Sequence, residues 1–153
     1  MKIFMIQGVA IKKLTTHLTE DGFFREIFRD DDNFLQKVGQ SSLSPAHPGF
    51  IKAFHWHKVQ DEIWYMVSGQ ARVVLYDSRK DSPTYKETQV VIMGEDCPQT
   101  LSIPRGVAHG YQVLGAKNAL LLYYTSEHYN PDDELRIPYN DPGINFDWTI
   151  NNG

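Results

Sequence analysis

The stretch Gly49-Phe-Ile-Lys-Ala-Phe-His55-Trp-His57-Lys-Val-Gln-Asp-Glu62-Ile-Trp-Tyr-Met-Val-Ser-Gly69 leaves few folds open to this chain. Its apolar and aromatic residues form two runs, around Phe50–Trp56 and Ile63–Val67, on either side of a short polar link. Such runs read as two β-strands. On a strand, residues two apart point to one face, roughly 6.5–7 Å from each other. His55 and His57 are therefore expected to lean the same way and to be able to meet on one ion, with Glu62 opening the next strand beside them. A fourth candidate, His109, follows a Pro-Gly turn in Ile103-Pro-Arg-Gly-Val-Ala-His109-Gly. The competing reading of these four residues is a set of hydrogen-bonded polar groups in the core. An uncompensated Glu62 among apolar neighbours would be costly, which favours a cation.

The spacing Gly49-x5-His55-x-His57-x4-Glu62-x6-Gly69 resembles the first metal motif of the cupin superfamily at every position. Pro104-x-Gly106-x-x-His109 resembles the core of the second, with Pro98 and Val113 standing where a Gly and an Asn are usual. The resemblance implies an all-β fold, a double-stranded β-barrel or jelly roll with at most one or two short helices. It also implies His55, His57, Glu62 and His109 as ligands of one divalent transition metal. Three imidazoles and a carboxylate suit Zn, Fe, Ni, Mn or Cu.

Read in order, the chain opens with an expected strand from Ile3 to Leu14, a turn at Thr19–Gly22 and a strand at Phe23–Phe28. Acidic residues Asp30–Asp32 suit the start of a helix of about two turns ending near Gly39. Ser41–Gly49, with Pro45 and Pro48, reads as a connection. Further strands are expected at Gln70–Tyr76, Thr88–Met93, Thr100–Ile103, His109–Leu114 and Asn118–Thr125, with a loop over Asp77–Lys86. Many short strands punctuated by Gly and Pro indicate an all-β architecture. The 153 residues are expected to form one domain: N-terminal strands over 1–30, the barrel over 35–126 and a wrapping tail over 127–153.

A net charge of −4 with no basic run argues against nucleic acid as a partner. Cys97 is the single cysteine, which rules out an internal disulfide and fits a reducing compartment. No stretch approaches the roughly 20 apolar residues of a membrane helix, so no membrane partner is expected and a cytoplasmic location is the default.

A narrower resemblance spans most of the chain. Asp21-Gly-Phe-Phe-Arg-Glu26, Asp81-Ser-Pro-Thr-Tyr85, Ile103-Pro-Arg-Gly-Val-Ala-His-Gly110, Tyr129-Asn-Pro and Asn140-Asp-Pro with Trp148 are similar to the dTDP-4-dehydrorhamnose 3,5-epimerase family. By that resemblance the family's base falls on His55, its acid on Tyr123 and a substrate-contacting Gln on Gln40. Departures are equally plain. A phosphate-contacting Arg is replaced by Asp21, the Arg beside the base by Lys52, and an enolate-stabilising Lys by Glu62. The carboxylate partner of the family's base lies in a C-terminal segment with no counterpart here. Lys-to-Glu and Arg-to-Asp together remove about four units of positive charge from the pocket. This weighs against a diphosphate-linked substrate and favours a metal.

A metal-bound imidazole nitrogen cannot also accept a proton, so His55 is a base only if it binds no metal. The expectation is a metal-dependent epimerase or isomerase acting on a keto-sugar or nucleotide-sugar in polysaccharide precursor synthesis. In it the metal is a Lewis acid, Tyr123 the proton carrier, and Gln40 and Lys52 the substrate contacts. The alternatives are a metallocupin dioxygenase or decarboxylase, and a non-catalytic carbohydrate-binding cupin. The family resemblance also implies a homodimer.

Overall fold

The computed structural model describes residues 5–151. Strands β1 (Ala10–Lys13), β2 (His17–Thr19), β3 (Gly22–Phe24), β4 (Gln40–Ala46), β5 (Ile51–Trp56) and β6 (Glu62–Ser68) are followed by β7 (Gln70–Asp77) and β8 (Thr88–Gly94). Then come β9 (Gln99–Ile103), β10 (Val107–Leu114), β11 (Ala119–Thr125) and β12 (Leu135–Arg136). They form two antiparallel five-stranded sheets, β1-β9-β6-β11-β4 and β12-β5-β10-β7-β8, and the β2-β3 hairpin stands apart.

The expected closed barrel is not what forms. Sheet one ends at β1 and β4, sheet two at β12 and β8, and among the described residues no ladder joins an edge of one to an edge of the other. The sheets are united by side chains instead, as in a sandwich. Period-2 alternation sends Trp64, Met66, Leu101 and Leu121 inward from sheet one to meet Val73, Leu75, Met93 and Val113 from sheet two in one buried cluster. Full burial of each such side chain is worth about 1.5–3 kcal/mol.

The opposite face of sheet two carries a second cluster of Phe54, Val74 and Ala108, covered by the C-terminal segment through Trp148 and Phe146. The Trp148 ring lies 5.6 Å from that of Phe54. Its indole N–H donates to the Tyr139 carbonyl at 2.9 Å.

Two local readings change. Ser41–Ala46 is strand, not connection. Because β4 is an edge paired only to β11, Pro45 costs no ladder bond on its outer side. The acidic run makes a single 3-10 turn at Asp30–Asp32, stopped by Asn33 in the left-handed conformation. The strand expected from Ile3 is found at Ala10–Lys13, and its first residues lie outside those described.

Asp77 anchors the long β7–β8 loop. Its carboxylate is fully buried and accepts from Arg79 Nε and Nη2 at 2.8 Å and from Ser82 Oγ at 2.6 Å. Burial opposes ionisation, but these donors outweigh it and hold Asp77 well below the usual carboxylate range. A carboxylate depressed in the folded state adds stability above its unfolded pKa of about 3.9, and loses it as pH falls toward the folded value. Asp77→Asn is therefore expected to lower unfolding free energy by about 2 kcal/mol at pH 7. In urea titrations the difference from wild type should shrink at pH 3; an undiminished difference there would contradict this role.

Candidate active site

A cavity of about 510 Å³ opens between the two sheets. Sheet one contributes Gln40 from β4, Glu62 and Trp64 from β6 and Tyr123 from β11; sheet two contributes His55 from β5 and His109 and Tyr111 from β10. The sequence-predicted candidates thus converge on one cavity, Lys52 included, but they do not form one cluster.

Local chain geometry explains the positions. Gly106, at φ +80°, makes the turn that launches β10. A Cβ on Gly110 would lie 2.3 Å from the Ala53 Cβ, so β10 reaches β5 closely only because that residue is glycine. The β10–β5 pairing places His109 opposite His55 and shifts register just beyond it.

The three-His, one-Glu ligand set does not form. His57, Glu62 and His109 alone bring donor atoms within 4.8 Å of one another among the described residues. His55 stands outside that group, and its Nδ1 is bonded to Glu134 Oε1 at 2.5 Å. The i, i+2 argument fails because β5 ends at Trp56, so His57 has already left the strand. Consecutive residues of the C-terminal segment then separate the rings: the Asp133 carbonyl accepts from His57 Nδ1 at 2.7 Å, while the Glu134 side chain takes His55. The Asp133 carboxylate also accepts from the Lys58 amide at 2.6 Å, fixing the turn that carries His57.

Within the buried cluster, Glu62 Oε1 lies 2.9 Å from His57 Nε2, and Glu62 Oε2 lies 3.5 Å from His109 Nε2. Glu62 also accepts from Gln60 Nε2 at 2.8 Å and from Trp64 Nε1. Burial pushes its pKa up, yet His109, His57 and the Trp64 N–H outweigh this and bring it down to about 2. For His57, burial favours the neutral ring, but the Glu62 hydrogen bond and charge prevail and raise its pKa. Burial lowers that of His109, with Glu62 opposing incompletely. Burial likewise pushes the Tyr111 phenol up, and a nearby Ser44 hydroxyl offsets little of this.

A carbonyl only accepts, so the Val107 carbonyl, 3.0 Å from His109 Nδ1, places that ring's proton on Nδ1. When that ring is neutral, its Nε2 lone pair faces a carboxylate oxygen. A cation between them would relieve that opposition. Two imidazoles with carbonyl-fixed tautomers and one carboxylate fit a divalent transition metal in donor type and in outer hydrogen bonding.

His55 is held in a similar way, with a carboxylate in place of the carbonyl: Glu134 at Nδ1 favours the proton there and a lone pair on Nε2, an arrangement that suits an oriented general base. Tyr123 lines the same cavity from the facing sheet. Gln40 is engaged at both ends of its amide, accepting from the Tyr129 N–H at 2.9 Å and donating to Ser42 Oγ at 3.1 Å. The Lys52 ammonium donates to Ser44 Oγ at 3.0 Å and to the Pro45 carbonyl at 2.7 Å. Asp21 lies exposed in the β2–β3 turn, outside the cavity lining.

Glu134 and Asp133 escape a reading of the sequence. They lie 79 and 76 residues beyond their histidines, in a Pro- and Asp-rich segment with no ligand-like spacing. Their signal is tertiary only: β12 pairs with β5, Arg136 opposite His55.

Residues 4–152 match the family model described as dTDP-4-dehydrorhamnose 3,5-epimerase. The chain is 53% identical over 146 residues to the spore coat polysaccharide biosynthesis protein SpsL of Bacillus subtilis, covering 94% of this chain and 97% of that one. A dTDP sugar isomerase from Desulfovibrio desulfuricans superposes with a TM-score of 0.88 at 28% identity, covering 94% and 92% of the two chains. The dTDP-6-deoxy-D-glucose-3,5-epimerase of Legionella pneumophila, solved with dTDP-4-keto-L-rhamnose, superposes with a TM-score of 0.87 at 27% identity, covering 97% and 82%. With nearly its whole length matched and the same sandwich in solved relatives, this chain belongs to the dTDP-4-dehydrorhamnose 3,5-epimerase family.

Proposed function

We propose that this chain, acting as a single domain, epimerises a nucleotide-linked keto-sugar during polysaccharide precursor synthesis. The observation that carries the reading is the pairing of His55, on one sheet, with Glu134 just before β12, and Tyr123 on the facing sheet. His55 Nε2 removes the proton from the carbon beside the sugar's carbonyl. The C–H electrons become a C=C bond and the carbonyl π electrons move onto oxygen, giving an enolate. Glu134 stabilises the imidazolium. Collapse of the enolate takes a proton from the Tyr123 hydroxyl on the opposite face, so configuration inverts. Solvent then reprotonates the phenolate and takes the proton from His55.

Lys52 and Arg136 bring positive charge to the cavity, and with Gln40 they are the proposed contacts for the sugar and its phosphates. The Bacillus relative's polysaccharide role and the Legionella neighbour's bound dTDP-sugar support the substrate class. His57, Glu62 and His109 are the proposed holders of a divalent cation, which when bound would add Lewis-acid charge at the cavity floor. His55 is not among them. The exposed apolar hairpin residues Leu18, Phe23 and Phe24, with Leu43 and Phe50, support a homodimer, which light scattering tests.

The deciding experiment incubates the purified chain with dTDP-4-keto-L-rhamnose in deuterium oxide. Deuterium should enter at the carbons flanking the carbonyl; absence of exchange would overturn the reading.

A further inference from the structure

The segment that carries Glu134 is tied to β5 from two sides. On the C-terminal side, Leu135 pairs opposite Trp56 and Arg136 opposite His55. Ile137 and Phe54 then exchange backbone hydrogen bonds, the Phe54 amide donating at 2.8 Å and the Ile137 amide at 3.0 Å. β12 is only two residues long and lies at the edge of its sheet. A ladder this short does little to specify its own register. Successive side chains alternate faces, so a slip of one residue would carry Glu134 away from the His55 ring.

On the N-terminal side the tie is Asp133. It is 7% exposed, and its carboxylate meets two backbone amides of the turn after β5, Lys58 at 2.6 Å and Val59 at 3.3 Å. Its own carbonyl accepts from His57 Nδ1 at 2.7 Å. Sliding the segment would strip the buried carboxylate of both donors, and a buried charge without donors is costly. The turn that leads in is stiff. Pro131 opens it, the Asn130 side chain accepts from the Asp132 amide at 3.0 Å, and the Asp133 amide donates to the Asn130 carbonyl at 3.0 Å. Where Asp133 is seated therefore decides where the next residue, Glu134, can reach.

We infer that Asp133 is a positioning residue for proton transfer: its carboxylate, seated on the Lys58 and Val59 amides, locks the register that puts Glu134 on His55 Nδ1. The role rests on the epimerase reading above, in which His55 is the base. Asp133 is not among the residues lining the cavity and transfers no proton; it acts through Glu134.

The test compares Asp133→Ala, which keeps no acceptor, with Asp133→Asn, which keeps one. In protein carrying isotope-labelled histidine, the ring-nitrogen NMR shifts of His55, assigned by their loss in His55→Asn, report which nitrogen holds the proton. Wild type should hold it on Nδ1, Asp133→Ala should move it in part to Nε2, and Asp133→Asn should fall between. For deuterium exchange into dTDP-4-keto-L-rhamnose, kcat should drop about 10-fold in Asp133→Ala and less in Asp133→Asn, with KM little changed. Beside Glu134→Gln the same substitutions should cost no further kcat, because their effect passes through that carboxylate. A His55 tautomer equal to wild type in both variants overturns the proposal, and if Asp133→Ala does not fold, that result in Asp133→Asn alone does so. A kcat loss that persists in full beside Glu134→Gln overturns it too, marking Asp133 as merely structural. A wild type without deuterium exchange overturns the epimerase reading instead, and the nitrogen shifts still decide whether Asp133 seats Glu134.

Discussion

His55→Asn is expected to lower the rate of solvent exchange into dTDP-4-keto-L-rhamnose by about 10³-fold, within the range for loss of a positioned general base. Its melting temperature should hardly move, because the ring is partly exposed and its one hydrogen-bond partner among the described residues is Glu134. Glu134→Gln separates orientation from basicity. The amide can still meet Nδ1, but as a carbonyl it no longer balances the charge that His55 gains on accepting the proton, so kcat should drop about 10²-fold while KM holds. Glu134→Asp should recover part of the loss. If His55→Asn retained wild-type exchange, proton transfer would have to be assigned elsewhere in the cavity. If Glu134→Gln matched wild type, the 2.5 Å contact would be structural only.

Glu62→Ala is the second large expectation, and it falls on stability. Glu62 is 4% exposed and receives His57, Gln60 and Trp64, with His109 facing its other oxygen. Removing one member of a buried charged network typically costs about 3–5 kcal/mol. For a chain of this size that is a fall of about 10 °C in melting temperature.

The pH trend separates two ways of neutralising the cluster. With chelator present, the raised pKa of His57 means that its contribution is complete below the unfolded value of about 6.5 and is lost as pH rises through the folded one. With zinc, manganese or iron bound, protons compete for the same nitrogens, so affinity and stability rise with pH instead. Elemental analysis of wild type and Glu62→Ala reads this directly. Metal in the first and not the second supports the three-residue site, and equal content in both removes Glu62 from it.

What the linear chain determined is the run of central strands β5 to β11 and the meeting of most candidate groups. The alternating runs of β6 to β11 are legible because each buries one face at period 2, and the Pro-Gly turn before His109 is legible because Gly106 needs a positive φ. β4 was hidden by its serines and prolines, which an edge strand tolerates and a propensity scale penalises. Whether the sheets close on themselves depends on edge-to-edge hydrogen bonding, which no residue pattern encodes, and here the edges remain separate.

The same limit applies at the site. Spacing put His55 and His57 on one side of a strand, but the orientation of each ring was set by Asp133 and Glu134, brought across from the far end of the chain. Side-chain direction follows the strongest available hydrogen bond, and only the tertiary structure supplied those partners. The three-residue cluster that results leaves His55 out, paired with Glu134 instead.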